Sequence, residues 1–423
     1  MNKFYAEARS LDQKDPLAKF RKDFVTDGQT IYLDGNSLGR LPEKSLQISE
    51  EVIRNQWGQR LIRSWNEHWL NLSKMLSGKI AKIVGAREDE IWLGDSTSLN
   101  LFKLAYGALE FQSGKNEVLT DNLNFPADLY VLDGLVQNNF KGHQIVTVSS
   151  KDGIRISEEQ IEKNLNKRTA LLTLSLVTYK SAFFYDMFSI NKMAHKSGAL
   201  VLWDLSHAAG AVPIALNKSN ADMAVGCTYK YLNGGPGAPA FLYVRKELQE
   251  KLQNPIWSWF GHTEPFLFQE KFTAAQGISK YAISTPAIIS MAAMEPGIAI
   301  VLEAGIENLR PKSLKQSNFL LRIIKSELIH YGFVLASPEN ADERGSHISI
   351  QHEKGYQICQ ALIEPKNGSK VIIPDFRPPN NIRLGITPLY TSFQELYETV
   401  VRIKEIMDTK EFEHFENKIK NVP

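Results

Sequence analysis

The sequence predicts an α/β fold: a large domain with a mostly parallel, seven-stranded-type sheet flanked by helices, followed by a smaller α+β C-terminal domain. Three observations point there. The chain has 423 residues, more than one ordinary domain needs. Short apolar runs alternate with amphipathic stretches up to about residue 290, and from there long helical periodicities are followed by isolated strands. Residues 1–50 are read as a segment packing against the small domain, 51–290 as the large domain and 291–423 as the small one.

The elements follow in order. Thr30–Leu33 reads as a strand ending in the turn Gly35-Asn36-Ser37-Leu38-Gly39. Asp95-Ser96-Thr97-Ser98 precedes the helical run Leu99–Ala105, which makes it an N-cap and, through free N–H groups, a potential anion site. Apolar runs at Glu117–Thr120, Leu171–Val177, Ala199–Trp203, Met223–Cys227 and Ala240–Val244 read as buried strands. Ser157–Asn166 and Ile190–Ser197 are amphipathic helices between them. Beyond them Met291–Leu302, with Leu314, Leu321, Ile324 and Leu328, predicts long helices, the first interrupted at Pro296-Gly297. His347–Gln351 and Asn381–Ile386 read as strands of the small domain.

Composition narrows the function. Lys and Arg number 49 against 47 Asp and Glu, a net charge of +2, so neither nucleic acid nor an anionic membrane is an expected partner. Cys227 and Cys359 are too few for a disulfide framework and wrongly spaced for zinc, which suits a reducing cytoplasm; no metal is expected. Residues 1–9 lack the apolar core of a signal peptide, and no apolar stretch reaches membrane-spanning length.

Gly35-Asn36-Ser37-Leu38-Gly39 matches the G-x-S-x-G elbow of serine hydrolases. The elbow requires a helix straight after the serine, whereas Arg40-Leu41-Pro42 follows. A loop whose backbone or Ser37 touches a ligand is the preferred alternative. No phosphate-binding G-x-x-x-x-G-K-[ST] loop occurs.

The chemistry concentrates in Leu200–His207 and Asp222–Lys230, two apolar strands ending in polar residues. Ligands collect at the carboxyl ends of parallel strands, so Asp204 and Lys230 can face one crevice. A lysine amine can form a Schiff base with pyridoxal 5'-phosphate while a carboxylate holds the pyridine nitrogen protonated. His207 is placed to flank such a ring, and Gly234-Gly235-Pro236-Gly237 lets the chain turn beside the lysine. Taken singly, Asp204 reads first as a helix cap and Lys230 as a solvated strand end, and only the combination favours the cofactor.

Six strings, in order along the chain from about residue 30 to 400, resemble kynureninase, a fold type I pyridoxal-phosphate enzyme of the class V aminotransferase superfamily. They are Leu33–Gly39, Asn124–Tyr130, Asp204–Gly210, Gly226–Gly237, Trp259–His262 and Asp375–Arg383. The resemblance implies hydrolysis of L-kynurenine, or its 3-hydroxy form, to anthranilate or 3-hydroxyanthranilate and L-alanine, within tryptophan catabolism. It makes Lys230 the Schiff-base lysine and proton shuttle and pairs Asp204 with the pyridinium nitrogen. It gives Thr97 and Ser98 to the phosphate, Phe125 to the ring face, and Asp128, Ser175 and His207 to the cofactor's surroundings. Tyr229 is the phosphate-bound tyrosine, catalytic with Lys230 and Asp204. Trp259 and Thr285 would reach the phosphate from the partner of a homodimer, and Arg383, with Ser37 nearby, would hold the α-carboxylate of a small amino-acid substrate.

The sequence departs from the family pattern at Ala282, where Arg is usual, at Ala182, where Gly is usual, and at Ser258, again in place of Gly. His68 and the aromatic stretch Trp57–Trp69 are read either as pocket lining or as core. The rival readings are another fold type I enzyme (a cysteine desulfurase or an aminotransferase), a serine hydrolase using Ser37, and a non-catalytic binding protein. A desulfurase needs an exposed loop cysteine, and neither Cys227 in a strand nor Cys359 in a helix suits that role.

Overall fold

The computed structural model of the chain describes residues 2–366 and 368–416. Helix α1 (Asn2–Gln13) leads into strand β1 (Ile31–Tyr32), α2 (Glu43–Glu51) and α3 (Leu72–Val84). The large domain continues with β2 (Ile91–Leu93), α4 (Thr97–Phe111), β3 (Glu117–Asp121), α5 (Pro126–Asn139), β4 (Gln144–Val148), α6 (Glu158–Asn164), β5 (Thr169–Ser175), α7 (Met187–Ser197), β6 (Leu200–Asp204), β7 (Met223–Gly226) and β8 (Phe241–Val244). After α8 (Lys246–Gln249) come α9 (Ile288–Ala304), α10 (Ile306–Glu327), β9 (Val334–Leu335), β10 (His347–Gln351), α11 (Gly355–Ile363), β11 (Ile372–Ile373), β12 (Asp375–Arg377), β13 (Asn381–Gly385) and α12 (Phe393–Thr409).

The main sheet has seven strands in the order β2-β8-β7-β6-β5-β3-β4. The pairs from β7 to β4 are parallel, and β8 is antiparallel to both its neighbours. Helices cover both faces, which is why the central strands read as unbroken apolar runs. Along β6, Val201 and Trp203 join one core, while Leu200 and Leu202 join the core beneath α4 with Leu101, Leu104 and Val225. The period of two therefore survives inside the run, sorting side chains to opposite faces.

The small domain pairs β12-β13-β10-β9 in an antiparallel sheet. Its core contains Phe319, Ile348, Leu384 and Leu396, and also Phe4, Ala8, Ile31 and Leu33 from the start of the chain. Strand β1 pairs in parallel with β11, Ile31 opposite Ile372. Leu17, Phe20 and Phe24 belong instead to the main core.

One expectation is corrected. Pro296-Gly297 does not interrupt its helix, because α9 runs unbroken from Ile288 to Ala304 with Pro296 inside it. Tertiary contacts hold this stretch in place: Ser45 Oγ donates to the Ala293 carbonyl at 2.7 Å, and Lys79 pairs with Glu295. Gly297 is required by proximity, since a Cβ there would lie 2.5 Å from the Leu232 carbonyl oxygen. The helix thus passes directly beneath the chain that follows Lys230.

Ala182 takes the left-handed conformation (φ +63°) that glycine would adopt more readily, at a cost of about 1–2 kcal/mol. The turn holds because Ala182 N–H donates to the Thr178 carbonyl at 3.1 Å and Phe183 N–H donates to Thr178 Oγ1 at 2.9 Å. Ser258 uses the hydroxyl that glycine would lack to reach the Ile283 carbonyl, just ahead of Thr285.

Candidate functional site

Register brings the first candidates together. Ser175 at the end of β5 lies opposite Asp204 at the end of β6, and Asp204 opposite Val225 of β7. Asp204 Oδ1 accepts from the Ser206 N–H at 2.9 Å and the Ser206 hydroxyl at 2.6 Å, so the carboxylate is fixed by the residue two positions on. Beyond β7 the chain is held by Thr228: its hydroxyl donates to the Pro239 carbonyl at 2.7 Å and its carbonyl accepts from Gly234 N–H at 2.9 Å. That loop presents Tyr229 and Lys230. Gly39 N–H donates to the Tyr229 carbonyl at 2.8 Å, and a Cβ on Gly39 would sit 2.4 Å from the Lys230 carbonyl oxygen. The turn that carries Ser37 is thereby docked against the lysine.

These residues enclose a cavity of about 190 Å³. Its walls include Ser37, Thr97, Ser98, Phe125, Asp128, Asp204, His207, Tyr229, Lys230 and Arg383, so the sequence's candidates from six separate elements share one space. Ser175 lies just behind, its N–H donating to Asn124 Oδ1 at 2.5 Å and its hydroxyl directed at the Asp204 carboxyl. Trp259 and Thr285 are not brought in: both are exposed, and the Trp259 indole N–H donates to the Pro265 carbonyl at 2.5 Å. Asn36, Ala127, Tyr179, Ser206 and Arg377 also line the cavity and carried no assignment in the sequence. Asn36, Ala127, Ser206 and Arg377 stood inside the quoted strings, which was the available signal, whereas Tyr179 stood in none of them.

The electrostatics are those of a buried site awaiting a polar ligand. Burial pushes the Asp204 carboxyl above its ordinary range, and the Lys230 amine opposes that shift. Asp128 is pushed well up by burial and then by the Asp204 charge. Burial, followed by the Lys230 charge, holds His207 well below the usual imidazole range, and its buried Nδ1 has no hydrogen-bond partner among the described residues. Burial also raises the Tyr229 phenol, keeping its proton in place. Lys230 Nζ makes no hydrogen bond among the described residues and lies 5.9 Å from the Phe125 ring centroid and 5.8 Å from that of Tyr229.

At the far end Arg383 is buried, its guanidinium paired with Asp375 and donating to the Tyr179 carbonyl at 2.5 Å and to Ser37 Oγ at 2.9 Å. Asp34, beside this pair, has its carboxyl pushed up to about 7 by burial and then by Asp375. A carboxyl that binds its proton more tightly when folded stabilises the fold at low pH, and that stability is lost as pH rises from the ordinary value of 3.8 through about 7. The melting temperature of Asp34→Asn should therefore gain on that of the parent as pH is raised across this window. A difference between the two that does not change with pH contradicts the assignment.

Two other readings lose their footing. Ser37 is not a hydrolase elbow: its N–H closes a turn onto the Asp34 carbonyl at 2.9 Å, its hydroxyl accepts from Arg383, and no helix begins until Glu43. Cys227 and Cys359 are buried thiols whose burial raises them further, unsuited to a desulfurase loop. Larger cavities lie elsewhere. One of about 700 Å³, walled by Leu41, Trp57, Trp69, Pro286 and Ile289, has no titratable lining residue. Trp57 and Trp69 thus line a different space, and His68 is exposed.

The residues present fit pyridoxal phosphate. Buried Asp204 suits a protonated ring nitrogen, which would relieve the cost of its charge. The buried His207 Nδ1 has no hydrogen-bond partner among the described residues, which a polar ligand would supply. At the start of α4, Ser96 caps Leu99 N–H at 3.3 Å, and Thr97 and Ser98, the first residues of the helix, line the cavity, where a helix N-terminus suits a phosphate. Phe125 offers a ring face close to the lysine.

Comparison with known proteins agrees with this geometry. Residues 309–403 match the family model described as the kynureninase C-terminal domain. A kynureninase of Pseudomonas fluorescens is 38% identical over 406 residues, 95% of either chain. One from Burkholderia mallei is 37% identical over 409 residues, 96% of this chain and 95% of the relative. Among solved structures, an apo cysteine desulfurase of Thermococcus onnurineus NA1 superposes with a TM-score of 0.79 over 92% of this chain and 98% of its own at 16% identity. A C-DES mutant with glycine covalently linked to its PLP cofactor gives 0.80 over 91% and 99%, also at 16% identity. At that identity the two structures speak for the fold alone.

Proposed function

The chain belongs to the kynureninase family, a pyridoxal-phosphate-dependent hydrolase that splits the Cβ–Cγ bond of kynurenine, and from that premise we propose how its own residues divide the work. The observation that carries the proposal is the meeting of Asp204 and Lys230 in one cavity at adjacent strand ends. Pyridoxal phosphate, when bound, supplies an electron sink for the pair released at the substrate α-carbon. Hydrolysis adds the elements of water across Cβ–Cγ, giving the aminobenzoate and L-alanine.

Lys230 anchors the cofactor and carries the proton taken from Cα, a role its unbonded amine supports. Asp204 holds the ring nitrogen's positive charge, and the start of α4 at Thr97 and Ser98, together with the Tyr229 hydroxyl, receives the phosphate. Phe125 covers one ring face, with His207, Asp128 and Ser175 around the ring. Arg383 and Ser37 receive the substrate α-carboxylate. Tyr229, held protonated by burial, is a proton donor next to Lys230.

The protein is further proposed to act as a homodimer in the cytoplasm. Trp257, Phe266, Leu267 and Phe268 are 71%, 51%, 63% and 72% exposed, an apolar cluster around Trp259 that a partner subunit would cover. Trp259 and Thr285 then serve the partner's phosphate. No single helix among the described residues is long and apolar enough to cross a membrane, and both cysteines are unpaired. Incubating the cofactor-loaded protein with kynurenine and with 3-hydroxykynurenine, while following fluorescence of the released aminobenzoate, tests the activity and ranks the substrates. Absence of product from both refutes it. Sedimentation at micromolar protein should report a dimer, and a monomer there removes the assignment of Trp259 and Thr285.

A further inference from the structure

The carboxylate end of the cavity contains two guanidinium groups, and they differ in what they have left to give. Arg383 is 1% exposed and committed: Nε and Nη2 meet Asp375, Nη2 also reaches Ser37 Oγ at 2.9 Å, and Nη1 donates to the Tyr179 carbonyl at 2.5 Å. Arg377 is 33% exposed, its Nε facing the same Asp375 Oδ2 at 3.0 Å. Its Nη2 reaches the same Ser37 hydroxyl only at 3.4 Å, and its Nη1 has no hydrogen bond among the described residues. Strands β12 and β13 create the arrangement by setting Asp375 directly opposite Arg383, with Arg377 two residues along on the same side of the strand.

Two guanidiniums share one carboxylate oxygen and one hydroxyl, and the other carboxyl beside them, Asp34, is held towards its neutral form by burial and by Asp375, so the pair is left short of negative charge. We propose, on the reading of the site as a kynurenine hydrolase, that Arg377 is a second substrate-binding residue: it supplies the accessible donors for the α-carboxylate, with Arg383 behind it as the other half of a two-arginine clamp. A carboxylate between them takes a planar pair of N–H groups from Arg377 and the field of both cations.

The holoprotein carrying Arg377→Gln tests this. Its KM for kynurenine is expected to rise about 10- to 100-fold, the range for losing hydrogen bonds to a charged group, with kcat nearly unchanged. Affinity for L-alanine, which has the amino-acid carboxylate but no aryl ring, should weaken by the same factor in a calorimetric titration. Inhibition by anthranilate, which has only the aryl carboxylate, should stay within about twofold of the parent, the span of ordinary surface changes. Arg377→Lys keeps the charge and the contact with Asp375, and should recover part of the loss; it also reports if the Gln variant fails to fold. Unchanged L-alanine affinity in both variants overturns the clamp, and so does a loss confined to anthranilate, which would place Arg377 on the aryl carboxylate. The two readings fail separately. A parent protein that binds L-alanine through Arg377 without cleaving kynurenine refutes the hydrolase and leaves the clamp; cleavage that ignores Arg377 does the reverse.

Discussion

Replacing Lys230 by alanine is expected to reduce kynurenine cleavage by at least about 10⁴-fold, the combined scale of proton transfer and covalent anchoring. The argument rests on what else the side chain does, which is little. Its amine makes no hydrogen bond among the described residues, so truncation removes its approach to the Phe125 and Tyr229 rings and the positive charge facing Asp204 and Asp128. The variant should therefore still fold, and cofactor should still bind through α4, Asp204 and Phe125. Lys230→Arg separates charge from proton transfer: arginine keeps the cation but stays protonated at any working pH. It should be as inactive as the alanine variant. Borohydride treatment of the loaded parent followed by peptide mapping should place the cofactor on residue 230. Measurable turnover by Lys230→Ala, or labelling elsewhere, removes Lys230 from the chemistry.

Much of this was legible in the sequence because two signals coincide. The central strands are buried on both faces, so β3, β5, β6, β7 and β8 appear as apolar runs whose predicted ends lie within about two residues of those observed. The strands with no such signal are β2, which is only three residues long, and β4, an edge strand with Gln144 and Thr147 exposed. Their apolar character is too short or too interrupted to read. Pro296 misled for a related reason. Propensity is local, whereas the contacts that keep α9 continuous come from α2, α3 and the loop after Lys230, far away in sequence.

The site divides in the same way. Asp204 and Lys230 could be paired from the rule that ligands gather at strand ends. The resemblance singled out Arg383 and gave Arg377, six residues earlier in the same string, no role. Only the register of β12 against β13 shows which guanidinium is sealed by Asp375 and which remains accessible.

The second large effect concerns Asp204, where apo and loaded protein should respond with opposite signs. The carboxyl is buried and raised above its ordinary range, so in the apo protein its ionised form burdens the fold. By linkage, stability is present at low pH and declines as pH rises through the raised value. Asn at this position retains an Oδ1 that accepts from the Ser206 N–H and hydroxyl while removing the charge. Apo Asp204→Asn should thus melt no lower than the parent near neutral pH, and higher as pH increases. In the loaded protein the same change removes the negative partner of the ring nitrogen, the interaction that keeps the electron sink protonated. Turnover should fall about 10³-fold, within the range for removing a group that stabilises charge as it develops, and cofactor should dissociate more readily. The pairing of a stabilised apo protein with a disabled holoenzyme is what a merely structural Asp204 would not produce. Loss of that carboxylate would then lower both stability and activity together, and a melt of the apo variant below the parent, at neutral pH, decides for that alternative.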